Sequence, residues 1–77
     1  MRRFEGRVAA IVGGGSGMGR AISHRLASEG ATVYVADLSE DAARKAAEEI
    51  TTAGGKATPV QVDATDNDSL KALFDRI

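Results

Sequence analysis

Seven residues near the start of the chain, Gly13-Gly14-Gly15-Ser16-Gly17-Met18-Gly19, include five glycines and stand between two strongly patterned segments. Before them, Val8-Ala9-Ala10-Ile11-Val12 is apolar on both alternating faces. That pattern predicts a strand covered on both sides, as in the middle of a parallel sheet. After them, Met18, Ile22 and Leu26 recur at helical spacing. A strand, a glycine turn and a helix in that order leave little freedom. Glycine accepts the dihedrals needed to aim several amides at one point and carries no side chain to obstruct a ligand. The helix adds its positive end, so the guest that suits such a turn is an anion, above all a pyrophosphate.

Counting separates this turn from two better-known phosphate loops. The lysine-bearing loop of nucleoside triphosphatases needs lysine and then serine or threonine after its last glycine, whereas Gly19 is followed by Arg20 and Ala21. The G-x-G-x-x-G fingerprint fits in no frame, because Gly13-x-Gly15 leads to Met18 and Gly15-x-Gly17 leads to Arg20. What remains is Gly13-x-x-x-Gly17-x-Gly19. A flexible turn that binds nothing is the bland alternative, and the flanking strand and helix speak against it.

The rest of the chain repeats the strand–helix alternation. Gly30 falls where the first helix needs a left-handed terminator. Thr32-Val33-Tyr34-Val35-Ala36 is β-branched and aromatic and predicts a second strand ending at Asp37. Ser39 is placed to cap a second helix, with Glu40 and Asp41 near its positive end. Glu40 with Arg44, and Asp41 with Lys45, are i,i+4 pairs in the favourable orientation. Ala42, Ala43, Ala46, Ala47 and Ile50 give that helix a thin apolar face, closed by Gly54-Gly55. Residues 57–62 predict a third strand, and Pro59 assigns it to an edge because proline cannot donate to a ladder. Asp66 caps a third helix with Leu70, Leu73, Phe74 and Ile77 at i, i+3, i+4 and i+7. Such β-α-β-α-β-α order predicts an α/β fold, a parallel sheet with right-handed crossovers and flanking helices.

Composition narrows the function classes. Ten basic and eleven acidic residues are spread along the chain, for a net charge of −1, so the one-sided basic field suited to nucleic acid or an anionic membrane is missing. The longest apolar run, Val8 to Val12, is far too short to span a bilayer, and no apolar segment follows the basic Met1-Arg2-Arg3 as in a secretory signal. There are no cysteines, which suits a reducing compartment. A cytoplasmic protein is the expectation. The third helix reaches Ile77 with its apolar face still running, and a sheet in the order 3-2-1 leaves the apolar first strand with an open edge. The 77 residues are therefore expected to be the N-terminal part of one domain, cut within its third helix.

The glycine turn resembles the T-G-x-x-x-G-x-G turn of the short-chain dehydrogenase/reductase family, most of all in the style of its 3-oxoacyl-(acyl-carrier-protein) reductase-like members. The likeness extends from Gly6-Arg7-Val8 through Asp37 to Val62-Asp63-Ala64-Thr65-Asp66. Val12 departs from the pattern, standing where the family usually has threonine. The resemblance implies a Rossmann-type domain that binds NAD or NADP, with Gly13, Ser16, Gly17, Met18, Gly19, Asp37, Leu38, Asp63 and Ala64 against the cofactor. An acid at the end of the second strand accepts hydrogen bonds from the adenosine ribose hydroxyls. Asp37 stands there, eighteen residues after Gly19, and would repel a 2′-phosphate. Ser16 occupies the place where NADP-using members often carry a basic residue. Both favour NAD over NADP. Asp63 resembles the family aspartate that meets the adenine amino group, with the Ala64 backbone nearby; as plain residues, Asp63, Asp66 and Asp68 also suit a turn and a helix start.

The family's chemistry uses Tyr-x-x-x-Lys with a serine and an asparagine, to move hydride between the cofactor and a carbonyl or secondary alcohol. Here the single tyrosine, Tyr34, has Leu38 four residues on and reads as an ordinary strand residue. His24 reads as a solvated position on the first helix, Met18 as a packing residue and Arg20 as surface cover. No catalytic or metal-binding residue is expected within the 77, and the chain alone is expected to be inactive. The complete enzyme is expected to act on a small molecule and to form a homo-oligomer. A free-standing nucleotide-binding module without catalysis is the alternative.

Overall fold

The computed structural model describes residues 6–76. The basic Met1-Arg2-Arg3 segment and Ile77, the last apolar position expected on the third helix, lie outside that range. The elements run β1 (Val8–Val12), α1 (Gly17–Ser28), β2 (Thr32–Asp37), α2 (Glu40–Thr52), β3 (Lys56–Gln61) and α3 (Asn67–Arg76). All three strands are parallel in the order β1-β2-β3, with Val8 opposite Thr32 and Thr32 opposite Lys56. The expected alternation is found, and Pro59 lies on an edge strand among the described residues, with the third strand one residue earlier than its hydrophobic pattern suggested.

Successive side chains of β2 point to opposite faces of the sheet, and each face has its own core. Val33 and Val35 pack with Ala27 of α1 and with Ala43, Ala46, Ala47 and Ile50 of α2. Ala36 packs on the other side with Val60, Val62 and Leu73 of α3. Burying each of the larger aliphatic side chains stabilises the fold by about 1.5–3 kcal/mol. Alanine is the commonest residue on the α2 face, so that helix lies close against the sheet.

The helix ends follow local chemistry. Ser39 caps α2 by accepting from the Ala42 amide at 3.2 Å, and Asp66 accepts from the Asp68 amide at 2.9 Å at the start of α3. At the end of α1, Gly30 adopts φ +99°; its amide donates to the Ala27 carbonyl and the Ala31 amide to the Leu26 carbonyl. This closes two carbonyls that the helix leaves open.

Four details differ from the sequence expectation. β1 has the open edge that the order 3-2-1 implies, but it is not covered on both faces among the described residues: its Val8 and Val12 are 53% and 46% exposed. By register they share the sheet face of Thr32, Tyr34 and Ala36, whose cover by α3 reaches only β2 and β3. The buried side of α1 is made of Ser23 and Ala27 rather than Met18 and Ile22, and Met18 is 80% exposed. At the start of the helix Gly19 approaches the Gly13 carbonyl so closely that no larger residue fits there, while Leu26 packs against the core further along. On α3, Leu73 is buried and Phe74 is exposed. Finally, Arg44 donates to Asp41 at 2.8 Å across i,i+3, and neither expected i,i+4 pair of α2 forms among the described residues.

Candidate functional site

The carboxyl ends of the parallel strands carry the glycine turn after β1, Asp37 as the last residue of β2 with Leu38 after it, and Asp63-Ala64 after β3. In open α/β sheets this is the end at which ligands bind. The fold thus brings every sequence-derived site residue to one rim.

Within the turn the amides divide into two sets. Those of Gly13 and Gly14 both donate to the Ala36 carbonyl, at 2.7 and 2.9 Å, and that of Gly15 donates to Asp37 Oδ2 at 3.0 Å. The amides of Ser16, Gly17, Met18 and Gly19 have no protein acceptor among the described residues, and the first bond of α1 runs from Arg20 to the Ser16 carbonyl at 3.2 Å. The Ser16 side chain makes no capping bond that would occupy them. Four donors without a protein acceptor at the positive end of a twelve-residue helix are an arrangement that suits an anion.

The glycines divide in the same way. A Cβ at Gly17 would meet nothing within 4 Å, and its φ of +56° is one that side chains rarely adopt. Here glycine serves the backbone shape and an open approach. A Cβ at Gly19 would instead lie 2.2 Å from the Gly13 carbonyl oxygen, and one at Gly15 would lie 2.7 Å from the Ala42 carbonyl carbon. Those glycines are needed for packing the turn on itself and on α2. The fully buried Ser23 donates from Oγ to the Gly19 carbonyl at 2.9 Å beneath this contact. Sequence reasoning missed Gly14, Gly15 and Ser23, because a glycine run does not say which member meets which neighbour.

Asp37 Oδ1 accepts from the Ser39 amide at 3.0 Å, so its carboxylate joins the end of β2, the turn and the start of α2. Leu38 beside it is largely exposed, and its carbonyl accepts from Gln61. Asp63 Oδ1 accepts from the Thr65 hydroxyl at 2.6 Å and the Thr65 amide at 2.9 Å. The hydroxyl first, then the amide, hold its carboxyl below the usual carboxylate range. Asp63 therefore shapes the turn into α3, as the plainer reading of its sequence anticipated, and Oδ2 has no protein partner among the described residues.

His24 and Arg20 lie on the outer side of α1, where both meet Glu49 of α2. Glu49 is held below the usual carboxylate range by Arg20 first and then by His24. Separations of 25 and 29 residues hid these pairs from the sequence. Tyr34 packs with the Ala36 core and stands apart from the rim. A cleft of about 640 Å³ opens at the opposite end of the sheet, lined by His24, Gly30, Thr32, Gly54 and Lys56 among others, away from the free amides. Among the described residues no helix is long and apolar enough to cross a membrane, and no cluster of His, Cys, Asp or Glu is grouped to hold a metal.

Residues 7–77 match the family model for short chain dehydrogenases, and the chain belongs to that family. It is 47% identical over 64 residues to a 2,5-dichloro-2,5-cyclohexadiene-1,4-diol dehydrogenase of Sphingobium indicum, covering 83% of this chain and 26% of the relative. It is 40% identical over 73 residues to the 7alpha-hydroxysteroid dehydrogenase of Escherichia coli, covering 95% of this chain and 29% of the relative. A solved 7alpha-hydroxysteroid dehydrogenase in complex with NADH and 7-oxo glycochenodeoxycholic acid superimposes with a TM-score of 0.94 at 39% identity, over 96% of this chain and 29% of that one. The chain thus spans less than a third of the length of these relatives.

Proposed function

We propose that this chain forms the nicotinamide-dinucleotide-binding portion of a short-chain oxidoreductase. The observation that carries the reading is the set of free amides at Ser16–Gly19, on the same rim as the carboxylate of Asp37. The amides hold the pyrophosphate, and the open space over Gly17 admits it. Asp37 accepts from the adenosine ribose hydroxyls and disfavours a 2′-phosphate, so NAD is taken in preference to NADP. Leu38 gives the adenine an apolar surface, while Asp63 and the Ala64 backbone meet its polar edge. Gly13 acts through its close contact with Gly19, since its amide is already bonded to Ala36.

When bound, the dinucleotide supplies hydride transfer; these residues bind and orient it. The relatives are named as dehydrogenases, and one was solved with NADH, which supports hydride exchange with a carbonyl or secondary alcohol in the whole protein. None of the 77 residues is assigned to that chemistry, because Tyr34 lies apart from the rim and lacks a lysine four residues on. The chain alone is proposed to bind cofactor without turnover, and the whole protein to work as a cytoplasmic homo-oligomer.

Calorimetric titration with NAD of the parent chain and of Gly17→Val tests the reading. Binding by the parent and its loss in Gly17→Val, with the fold retained by circular dichroism, is the expected result. Equal affinity in the two would remove the turn as the phosphate site.

A further inference from the structure

We propose that Asp37 is a positioning residue for the glycine turn in addition to its part in sugar recognition, so that one carboxylate couples the two halves of the site. The inference rests on the reading of the turn as a phosphate holder. Its structural basis is the pair of bonds from Gly15 N–H to Oδ2 and from Ser39 N–H to Oδ1, both 3.0 Å. Gly13 and Gly14 already donate to Ala36. The three amides before Ser16 are therefore all bonded to the end of β2, and the next four are the ones left without a protein acceptor among the described residues. Gly15 is also wedged against Ala42, so the turn cannot satisfy its amide by sinking further toward α2. Asp37 supplies the acceptor that this geometry requires.

Holding the turn does not compete with holding a sugar. An ionised carboxylate offers about four acceptor positions, of which the two amides use two. The remaining lone pairs suit a vicinal diol. Loss of the carboxylate therefore harms the phosphate end of the site even for a ligand with no sugar at all. It also follows that removing the acidic group does not by itself create an NADP site, because the turn loosens together with the repulsion.

Inorganic pyrophosphate gives the two roles opposite signs. Removing a negative charge near a polyanion site strengthens binding if charge is the only effect, whereas loss of the strut weakens it. The experiment follows amide spectra and hydrogen exchange in the ¹⁵N-labelled protein and in Asp37→Ala and Asp37→Asn, with pyrophosphate as the probe. In Asp37→Ala, Gly15 amide exchange is expected to accelerate about tenfold or more, the effect of losing a charge-assisted hydrogen bond. The Val33 and Val35 amides should stay protected, and pyrophosphate should bind more weakly. Asp37→Asn is expected to be intermediate, since its single carbonyl oxygen serves only one of the two amides. Unchanged Gly15 exchange in Asp37→Ala, or tighter pyrophosphate binding, would overturn the proposal. If the parent protein shows no pyrophosphate response at residues 16–19, the phosphate reading itself fails, and Gly15 exchange still decides whether Asp37 supports the turn.

Discussion

Arg20 on α1 and Glu49 on α2 form a two-pronged ion pair, Nε donating to Oε1 at 2.8 Å while Nη2 meets Oε2. His24, one turn along, brings Nε2 to 3.2 Å from the same Oε1. The pair ties the helix that bears the free amides to its neighbour on the same side of the sheet. Because it is solvent-exposed, salt screens it.

The pH dependence of this clamp has a definite sign. Glu49 is held below the ordinary carboxylate range in the folded protein, so its contribution is complete above the unfolded value and disappears as pH falls through the lowered one. Glu49→Gln should lower Tm slightly near neutrality, by less at high salt, and match the parent in strong acid. Thermal unfolding across pH and salt checks this; a deficit undiminished in strong acid would show that the role of Glu49 is not electrostatic.

Two glycines two residues apart should respond to alanine for different reasons. Gly19→Ala puts a methyl group 2.2 Å from the Gly13 carbonyl oxygen, and the backbone must move to admit it. An overpacking loss of about 1–3 kcal/mol is expected, despite alanine's better helix propensity. Gly17→Ala has open space and pays only for φ +56°, about 1–2 kcal/mol. Denaturant melts separate the two. A stabilised Gly19→Ala would mean the turn packs less tightly than described.

Ile50 is the largest side chain in the core beneath α2 and is almost fully buried. Ile50→Ala should cost about 2–5 kcal/mol. In a chain of 77 residues that is a large part of the total stability. Loss of the cooperative transition in circular dichroism is the expected readout, and a change of a few degrees only would place the core elsewhere.

Asp37→Ala should reduce NAD affinity by about tenfold or more, as one or more hydrogen bonds to a charged acceptor are lost. NADP affinity should fall by less, because relief of the repulsion offsets part of the loosened turn. Parallel titrations give the ratio; an equal loss for both cofactors would remove Asp37 from the sugar site.

Much of this architecture is legible in the residues. The Ser39 cap, the Gly30 stop, the position of Asp37 and the edge proline each act through contacts a few residues away or through a strand's two-residue period, so local pattern reveals them. On the inner side of α1, hydrophobicity points to Met18 and Ile22, whereas the close approach that begins at Gly19 favours Ser23 and Ala27. Size outweighed polarity there. The Glu49 cluster and the split in the glycine run depend on contacts between distant segments, and no spacing rule encodes those.

The Ala36 carbonyl accepts from two successive amides of the turn, and the next residue receives a third. The loop is thus stitched to the second strand and not merely strung between the first strand and its helix. Anyone transplanting this glycine turn into another scaffold must carry that strand along with it. The seven glycine-rich residues moved alone would leave behind the three bonds that give them their shape.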